Sequence, residues 1–423
     1  MDTIQNLDQH VATSKTDIIR SLNQQVATEK YGKSQLLSST LETEQKKSFN
    51  TSAFCLSDTA QPESEVDKEG IVNCILLQFQ EKCEMAMKTV AVIGAGVSGI
   101  TSTKACLEQG MDVTCYEMHN DIGGIWYYTE HSRPDEGATV YDFLMTNTSR
   151  EMMRFSDFHF PSSAPAFPRH REMHAYLHSY ANKFGVTKHV QLETKVIALQ
   201  KSAGHSSDGT WIVVTQRKGE NKKETKEFDA VIVSCGFHRI PNIPEIEGFS
   251  NFKGEWSHSK TFKSAKPFTG KRVLVIGNAN SALDTATGMA DYAEKVYLSV
   301  GQGCWVVPRL TNRITYDTFL LRRWHISYLG ILDRKWRKVC EDYFNHREAG
   351  IRASSGPIHH FPTINDDIGS RIACGKIKVV PRTVQFLTNG VRLEDGTVLQ
   401  DIDHVVFATG FQPDHNLLVF IIF

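Results

Sequence analysis

Val90-Ala91-Val92-Ile93-Gly94-Ala95-Gly96-Val97-Ser98-Gly99 is the stretch that decides the fold. The run from Lys88 to Ile93 is short and rich in β-branched residues, the pattern of a strand buried in a parallel sheet. Gly94 permits the tight turn, Gly96 a close approach of a pyrophosphate to the backbone, and Gly99 close packing of helix on strand. A helix is expected from about Ser98 to Gln109, stopped by Gly110 as the left-handed residue after its end. Its N-terminus offers unpaired N–H groups and a positive dipole end to phosphate. A second strand, Asp112 to Tyr116, leads into Glu117, an acid roughly 20 residues on, where ribose hydroxyls are bound. Strand, turn, helix, strand and acid together identify a dinucleotide site built on Gly94, Ala95, Gly96, Val97, Ser98, Gly99 and Glu117.

The same pattern returns as Val273-Leu274-Val275-Ile276-Gly277-Asn278-Ala279-Asn280-Ser281-Ala282. Here Ala279 and Ala282 stand where glycine is usual. Alanine is tolerated at the third position, but Ala279 places a methyl group where the pyrophosphate approaches. Gly277, Asn280, Ser281, Ala282, Leu283 and Asp284 remain the candidate contacts of a second nucleotide, at a working or a weakened site. The following strand, Lys295 to Val300, ends in no acid, which disfavours a ribose 2′-OH contact and leaves room for a 2′-phosphate. Two dinucleotide sites in one chain imply electron transfer between cofactors, so an oxidoreductase leads.

Just past Glu117 lies Asp121-Ile122-Gly123-Gly124-Ile125-Trp126. Its two glycines allow a close backbone path along a cofactor and its indole can pack there, making Gly124, Ile125 and Trp126 candidates; a turn with a core tryptophan is the alternative. Further on come Met145-Thr146-Asn147-Thr148-Ser149-Arg150-Glu151-Met152-Met153 and the spaced set Phe252, Gly254, His258, Phe262, Lys263. With these four ordered motifs, residues from about 87 to 415 resemble the flavin-containing monooxygenases. The resemblance implies an α/β fold of two Rossmann-like dinucleotide-binding domains, with the NADPH domain inserted in the FAD domain. The expected parts are an FAD domain over 87–250, an NADPH domain over 251–394 and an FAD return segment over 395–423. Two echoing segments support the insertion: Phe228 to Gly236 and Asp401 to Gly410, each an acid, a strand, a small residue and glycine.

The chemistry implied by the resemblance is reduction of FAD by NADPH and reaction with O₂ to a C(4a)-hydroperoxyflavin, which oxygenates soft nucleophiles, amine nitrogen or sulfur. Thr146, Asn147 and Thr148 would lie beside the flavin, with Asn147 as catalytic hydrogen-bond donor; a turn-forming asparagine is the other reading. Within Trp305-Val306-Val307-Pro308-Arg309, Arg309 is expected as the 2′-phosphate ligand or as a solvated surface arginine. His258 bridges the domains, contacts NADP or is purely structural. A Baeyer–Villiger monooxygenase acting on ketones is one alternative function, and an impaired flavin-binding isoform another.

Composition narrows the field. The formal charge of −1 leaves no electrostatic footprint for nucleic acid. Nine cysteines, an odd number with no Cys-x-x-Cys pair, argue against a disulfide framework, a metal site and a redox dithiol. There is no run of about 18 apolar residues. Residues 1–86 carry no fingerprint, are polar, and are expected to be a disordered extension or a marginal helix, with no signal peptide. The chain stops at Leu417 to Phe423, earlier than the family does, so it reads as truncated, and membrane anchoring and activity are in question. Partners are therefore small soft nucleophiles and O₂, no nucleic acid, with peripheral membrane association left open. The resemblance places the protein at the cytosolic face of the endoplasmic reticulum membrane, with the cytoplasm as alternative.

Overall fold

A computed structural model describes residues 88–132, 137–138, 140–205, 209–321, 328–360 and 362–412. They belong to one unit, Glu84–Phe423. The expectations for residues 1–86 and for the apolar tail lie outside the described residues.

The first fingerprint folds as read. Strand β1 (Thr89–Ile93) leads into helix α1 (Val97–Glu108) and strand β2 (Asp112–Tyr116). Helices α2 (Arg150–Met153) and α3 (His170–Lys183) precede β3 (Val190–Gln191). An antiparallel meander follows, β4 (Thr194–Lys201), β5 (Trp211–Arg217) and β6 (Lys223–Phe228), before β7 (Ala230–Val233). The parallel sheet runs β3-β2-β1-β7. Its strands are apolar because they are covered: Val90, Val92, Ile100, Val113 and Leu177 form one core cluster. Each such side chain contributes about 1.5–3 kcal/mol on burial.

The chain then crosses through β8 (Ile240–Pro241) to β9 (Glu255–His258), β10 (Arg272–Ile276), α4 (Asn280–Met289) and β11 (Lys295–Ser299). A connecting region holds the short strands β12 (Val306–Val307), β13 (Leu310–Thr311), β14 (Ile314–Thr315) and β15 (Thr363–Ile364), with helices α5 (Tyr316–Leu320), α6 (Leu329–Tyr343) and α7 (Ile368–Ala373). Strand β16 (Ile377–Val380), a second meander of β17 (Thr383–Leu387), β18 (Gly390–Leu393) and β19 (Val398–Gln400), then β20 (His404–Phe407) and β21 (Phe411–Gln412) complete it. The second parallel sheet runs β16-β11-β10-β20-β9.

The two sheets are the same device built twice. Gly94 N–H donates to Tyr116 O (2.8 Å), and Gly277 N–H donates to Ser299 O (3.1 Å). On the other side Ser234 N–H donates to Ile93 O and Ala408 N–H to Ile276 O, both at 2.8 Å. The acid in each echoing segment has a physical job. Asp229 accepts from the Thr89 amide (2.8 Å), and Asp403 from the Arg272 amide (2.7 Å), so each caps the start of the strand that leads into its sheet's glycine turn. The Lys88 ammonium and the Thr89 amide hold the Asp229 carboxyl down at about 2.

This corrects one boundary. Residues 395–423 were expected to return to the FAD domain, yet β20 pairs in parallel with β10 inside the second sheet. The crossing comes later, at β21, which lies antiparallel to β8 so that both connections run side by side. The fourth strand belongs with the meander that precedes it, as β7 does in the first sheet.

Candidate functional site

The three glycines of the first fingerprint do different work. Gly94 has φ +98°, and a Cβ there would lie 2.7 Å from Ser234 O. A Cβ on Gly99 would lie 1.7 Å from Gly94 O. Both are demanded by the protein's own packing. Gly96 is not: its φ is −74°, and a Cβ would meet only the Gly124 backbone at ordinary distances, Cα at 3.5 Å and N at 3.9 Å. Its glycine is explained by a partner outside the protein, and the N-terminus of α1 beside it has no side-chain cap and no acid in its first turn. That is the cradle a pyrophosphate fits. Glu117 is buried, and its oxygens accept from the Ala95 amide (2.8 Å) and the His119 amide (3.0 Å). A carboxylate accepts about four hydrogen bonds, so capacity for a ribose hydroxyl remains. Gly124 packs on Gly96, Ile125 is exposed, and Trp126 packs on the first core.

The second fingerprint keeps the backbone logic but not the side-chain contacts expected of it. Gly277 is required: a Cβ would lie 2.4 Å from Ala408 O. The N-terminus of α4 again lacks a side-chain cap. Asn280, however, accepts from the Ile364 amide (2.8 Å). Ala282 and Leu283 are fully buried in the core. Asp284 accepts from the Tyr141 hydroxyl and from Asn365 Nδ2 (2.9 Å), with burial pushing its carboxyl up. Of the six expected contacts, Ser281 alone leaves an exposed side chain to a ligand, and the Gly277 N–H is already bonded to Ser299 O. Asp284 instead ties α4 to the segment around Tyr141, whose neighbour Phe143 packs on Gly288.

Arg309 also stands elsewhere than expected. It is buried and held by Asp366, through Nη1 to Oδ2 and through its own amide to Oδ1, both 2.7 Å. Its Nε donates to Thr146 O (2.9 Å), and its Nη2 to Asn147 Oδ1 (2.9 Å). A guanidinium so engaged is neither a solvated surface group nor an open phosphate ligand, so the 2′-phosphate role is withdrawn. Because arginine can only donate, the contact also fixes the Asn147 amide: its oxygen faces Arg309 and its NH₂ faces away. Tyr316 donates to Asn147 O (2.8 Å). Thr146 Oγ1 is buried without a hydrogen-bond partner, an orphan that suits a ligand. Thr148 is half-buried in the same turn. Nothing local to Asn147 signals Asp366, Tyr316 or Asn365; they arrive from the second half of the chain.

His258 is structural. It is buried, its Nδ1 accepts from the Lys260 amide (3.1 Å), and its Nε2 donates to Gly410 O (3.0 Å). It clamps β9 to the crossing segment. His346 is likewise buried, accepting from the Val306 amide and donating to Phe344 O, both 2.9 Å. Burial lowers both imidazole pKa values from 6.5. The unfolded chain therefore binds more protons than the folded one below that value. Their stabilising effect is complete above pH 6.5 and is lost as pH falls through and below it. Thermal melts should be flat from about pH 7 to 8 and fall progressively below about 6.5; a melting temperature unchanged down to pH 5.5 would refute this. Cys115, Cys304 and Cys340 are pushed up to about 12 by burial, so they are protonated thiols at neutral pH. No metal was expected; among the described residues Asp121, His174 and His178 come within metal-ligand spacing, and Asp121 pairs with His178 Nε2 at 2.8 Å.

Two parallel sheets of one design, in which β1 and β10 each lead through a glycine turn into an uncapped helix, define a two-dinucleotide flavoprotein. The chain belongs to the flavin-binding monooxygenase-like family, whose model matches residues 87–419. It is 39% identical over 332 residues to flavin-containing monooxygenase 2 of Homo sapiens, covering 77% of this chain and 62% of that protein. It is 40% identical over 332 residues to dimethylaniline monooxygenase [N-oxide-forming] 2 of Oryctolagus cuniculus, with the same coverage of 77% and 62%. The chain thus spans somewhat under two thirds of these relatives' length. Among solved structures, the S-allyl-L-cysteine S-oxygenase of Allium sativum superposes with TM-score 0.55 at 23% identity, over 77% of this chain and 63% of that one. An open form of cyclohexanone monooxygenase superposes with TM-score 0.59 at 17% identity, over 78% and 74%. These two likenesses establish the fold. Family membership implies FAD and NADPH as cofactors, and Gly96, the orphan Thr146 hydroxyl and both uncapped helices fit them.

Proposed function

We propose that the protein is an NADPH-dependent flavin monooxygenase that transfers one atom of O₂ to soft nucleophiles, amine nitrogen or sulfur. The observation that carries this reading is the Asn147 amide, oriented by Arg309 with its NH₂ directed away from the guanidinium. Bound FAD, once reduced by NADPH, supplies the oxygen activation. The chain's own residues do the rest. Gly96 and the first turn of α1 hold the flavin pyrophosphate, and Glu117 its ribose. Gly277 and the first turn of α4 hold the nicotinamide dinucleotide. Asn147 donates a hydrogen bond to oxygen at the reaction centre, while Arg309 and Asp366 keep its amide from turning. Tyr141 and Asp284 hold the segment carrying Asn147 against α4, so both dinucleotide units are referenced to one frame.

The test is the visible spectrum of the purified protein, followed by turnover with a tertiary amine, a thioether and a cyclic ketone. A bound yellow chromophore that bleaches with NADPH and recovers in air, with N- or S-oxide formed, is the expected result. Absence of the chromophore overturns the reading, and turnover of the ketone alone moves it to the Baeyer–Villiger class. Association with the endoplasmic reticulum membrane belongs to the same proposal and is checked by cell fractionation. No helix among the described residues is long and apolar enough to cross a membrane.

A further inference from the structure

We infer that Arg382 is the residue that reads the ribose 2′-phosphate of the nicotinamide dinucleotide, presented from the turn after β16 rather than from the end of β11. The inference rests on the reading of the second domain as an NADPH site. In a Rossmann unit the end of the second strand faces the adenosine ribose; here that strand is β11. It ends in Ser299, which is buried and fully engaged. The Ser299 hydroxyl donates to Pro381 O (2.9 Å) and accepts from the Thr383 amide (3.0 Å) and the Thr383 hydroxyl (3.0 Å). The Val300 amide adds a bond to Val380 O (3.1 Å). Ser299, the counterpart of Tyr116, and Val300, which stands where Glu117 does in the first sheet, thus staple the Pro381–Thr383 turn to the strand end, with Arg382 between the two anchors.

Arg382 is exposed and makes no ion pair among the described residues. Its guanidinium lies over Gly301, two residues past Ser299: a Cβ on Gly301 would sit 3.1 Å from Nη2 and 3.2 Å from Nε. The glycine has an ordinary role here, leaving the space that the guanidinium fills. A cavity of about 520 Å³ joins Gly277, Ser299, Gly301, Gln302 and Arg382, so the fingerprint turn and the guanidinium open into the same space. Its lining includes Glu245 and Glu247 and no cation besides Arg382. Glu247 is engaged by Gln385 Nε2 (2.7 Å). A phosphate dianion entering the cavity meets one attractive charge against the two carboxylates, so its place there is beside Arg382, whose guanidinium binds phosphate through two parallel N–H donors.

The experiment is calorimetric titration of the FAD-loaded chain with 2′,5′-ADP, 5′-AMP, NADP⁺ and NAD⁺. The parent should bind 2′,5′-ADP and NADP⁺ in preference to their unphosphorylated counterparts. Arg382→Ala should weaken 2′,5′-ADP and NADP⁺ on the order of 10- to 100-fold while leaving 5′-AMP and NAD⁺ unchanged. Arg382→Lys should fall between, keeping the charge without the fork. Gly301→Val keeps the arginine but displaces it, and should reproduce the loss. Flavin content and melting temperature report folding of each variant. Undiminished preference in folded Arg382→Ala, or in both Arg382→Lys and Gly301→Val should the alanine variant not fold, overturns the inference and leaves the NADPH site standing. A parent that binds nucleotides without preference does the same. A parent that binds none of the four removes the nucleotide-site reading itself.

Discussion

Gly96→Val should abolish flavin retention in a chain that still folds. The protein's own packing tolerates a Cβ at residue 96, which would meet only the Gly124 backbone, Cα at 3.5 Å and N at 3.9 Å, and the backbone there is at an ordinary φ of −74°. The space the valine enters is where a pyrophosphate must approach the amides of α1. Forcing extra methyl groups against a fitted partner costs about 1–3 kcal/mol or more, and the phosphate contacts are lost in addition. Together these amount to a loss of flavin affinity on the order of 100-fold or more. Gly99→Ala is the informative contrast. Its Cβ would overlap Gly94 O at 1.7 Å, so that variant should fail to fold rather than fold without flavin. Flavin absorbance per protein, read beside a circular-dichroism melt, separates the two. Stoichiometric FAD in folded Gly96→Val would remove the site assignment.

Asn147→Asp should uncouple NADPH oxidation from oxygenation without weakening the fold. The new carboxylate still accepts from Arg309, and the pairing becomes charge-assisted, but the outward N–H donors are gone. Losing one hydrogen bond to a charged acceptor costs about 1.5–3 kcal/mol, so activated oxygen should escape roughly 10- to 100-fold more readily. The measurement is H₂O₂ released per NADPH consumed, with a tertiary amine or thioether present. Asn147→Ala should do the same and leave flavin reduction intact. Arg309→Ala should also uncouple, through a freely turning Asn147 amide, and in addition destabilise the chain by about 1–3 kcal/mol, because it leaves the buried Thr146 carbonyl without its donor. Unchanged coupling in both Asn147 variants, with hydride transfer slowed, would place Asn147 at the nicotinamide and end its role at the oxygen.

Much of this molecule was legible because its deciding features are local. Gly94 needs φ +98°, Gly99 needs to pass within contact of Gly94 O, and Glu117 needs to reach back to Ala95. These are backbone requirements that a strand–turn–helix–strand imposes within a few turns of itself, so residue type reveals them. The repeated acid, strand and small-residue segments were visible for the same reason, although what the acids do was not. Asp229 and Asp403 reach the amides of strands that lie far away in sequence.

What the sequence left open depends on which distant segments the sheets bring together. Parallel strands are joined by long crossovers, so nothing near β20 says whether it joins the first sheet or the second. A buried and an exposed arginine are the same letter. Arg309, read as the phosphate ligand, is instead locked by Asp366 and by Asn147, 57 and 162 residues away. Arg382, passed over, is carried to the ribose position by a serine 84 residues before its neighbour Thr383. The sequence by itself determined that two dinucleotide units exist and where their glycine turns lie, because steric limits on φ and close approach act along the chain. Only the tertiary structure decided which charged side chains are engaged and which face a ligand, because burial and hydrogen-bond pairing are properties of neighbours in space.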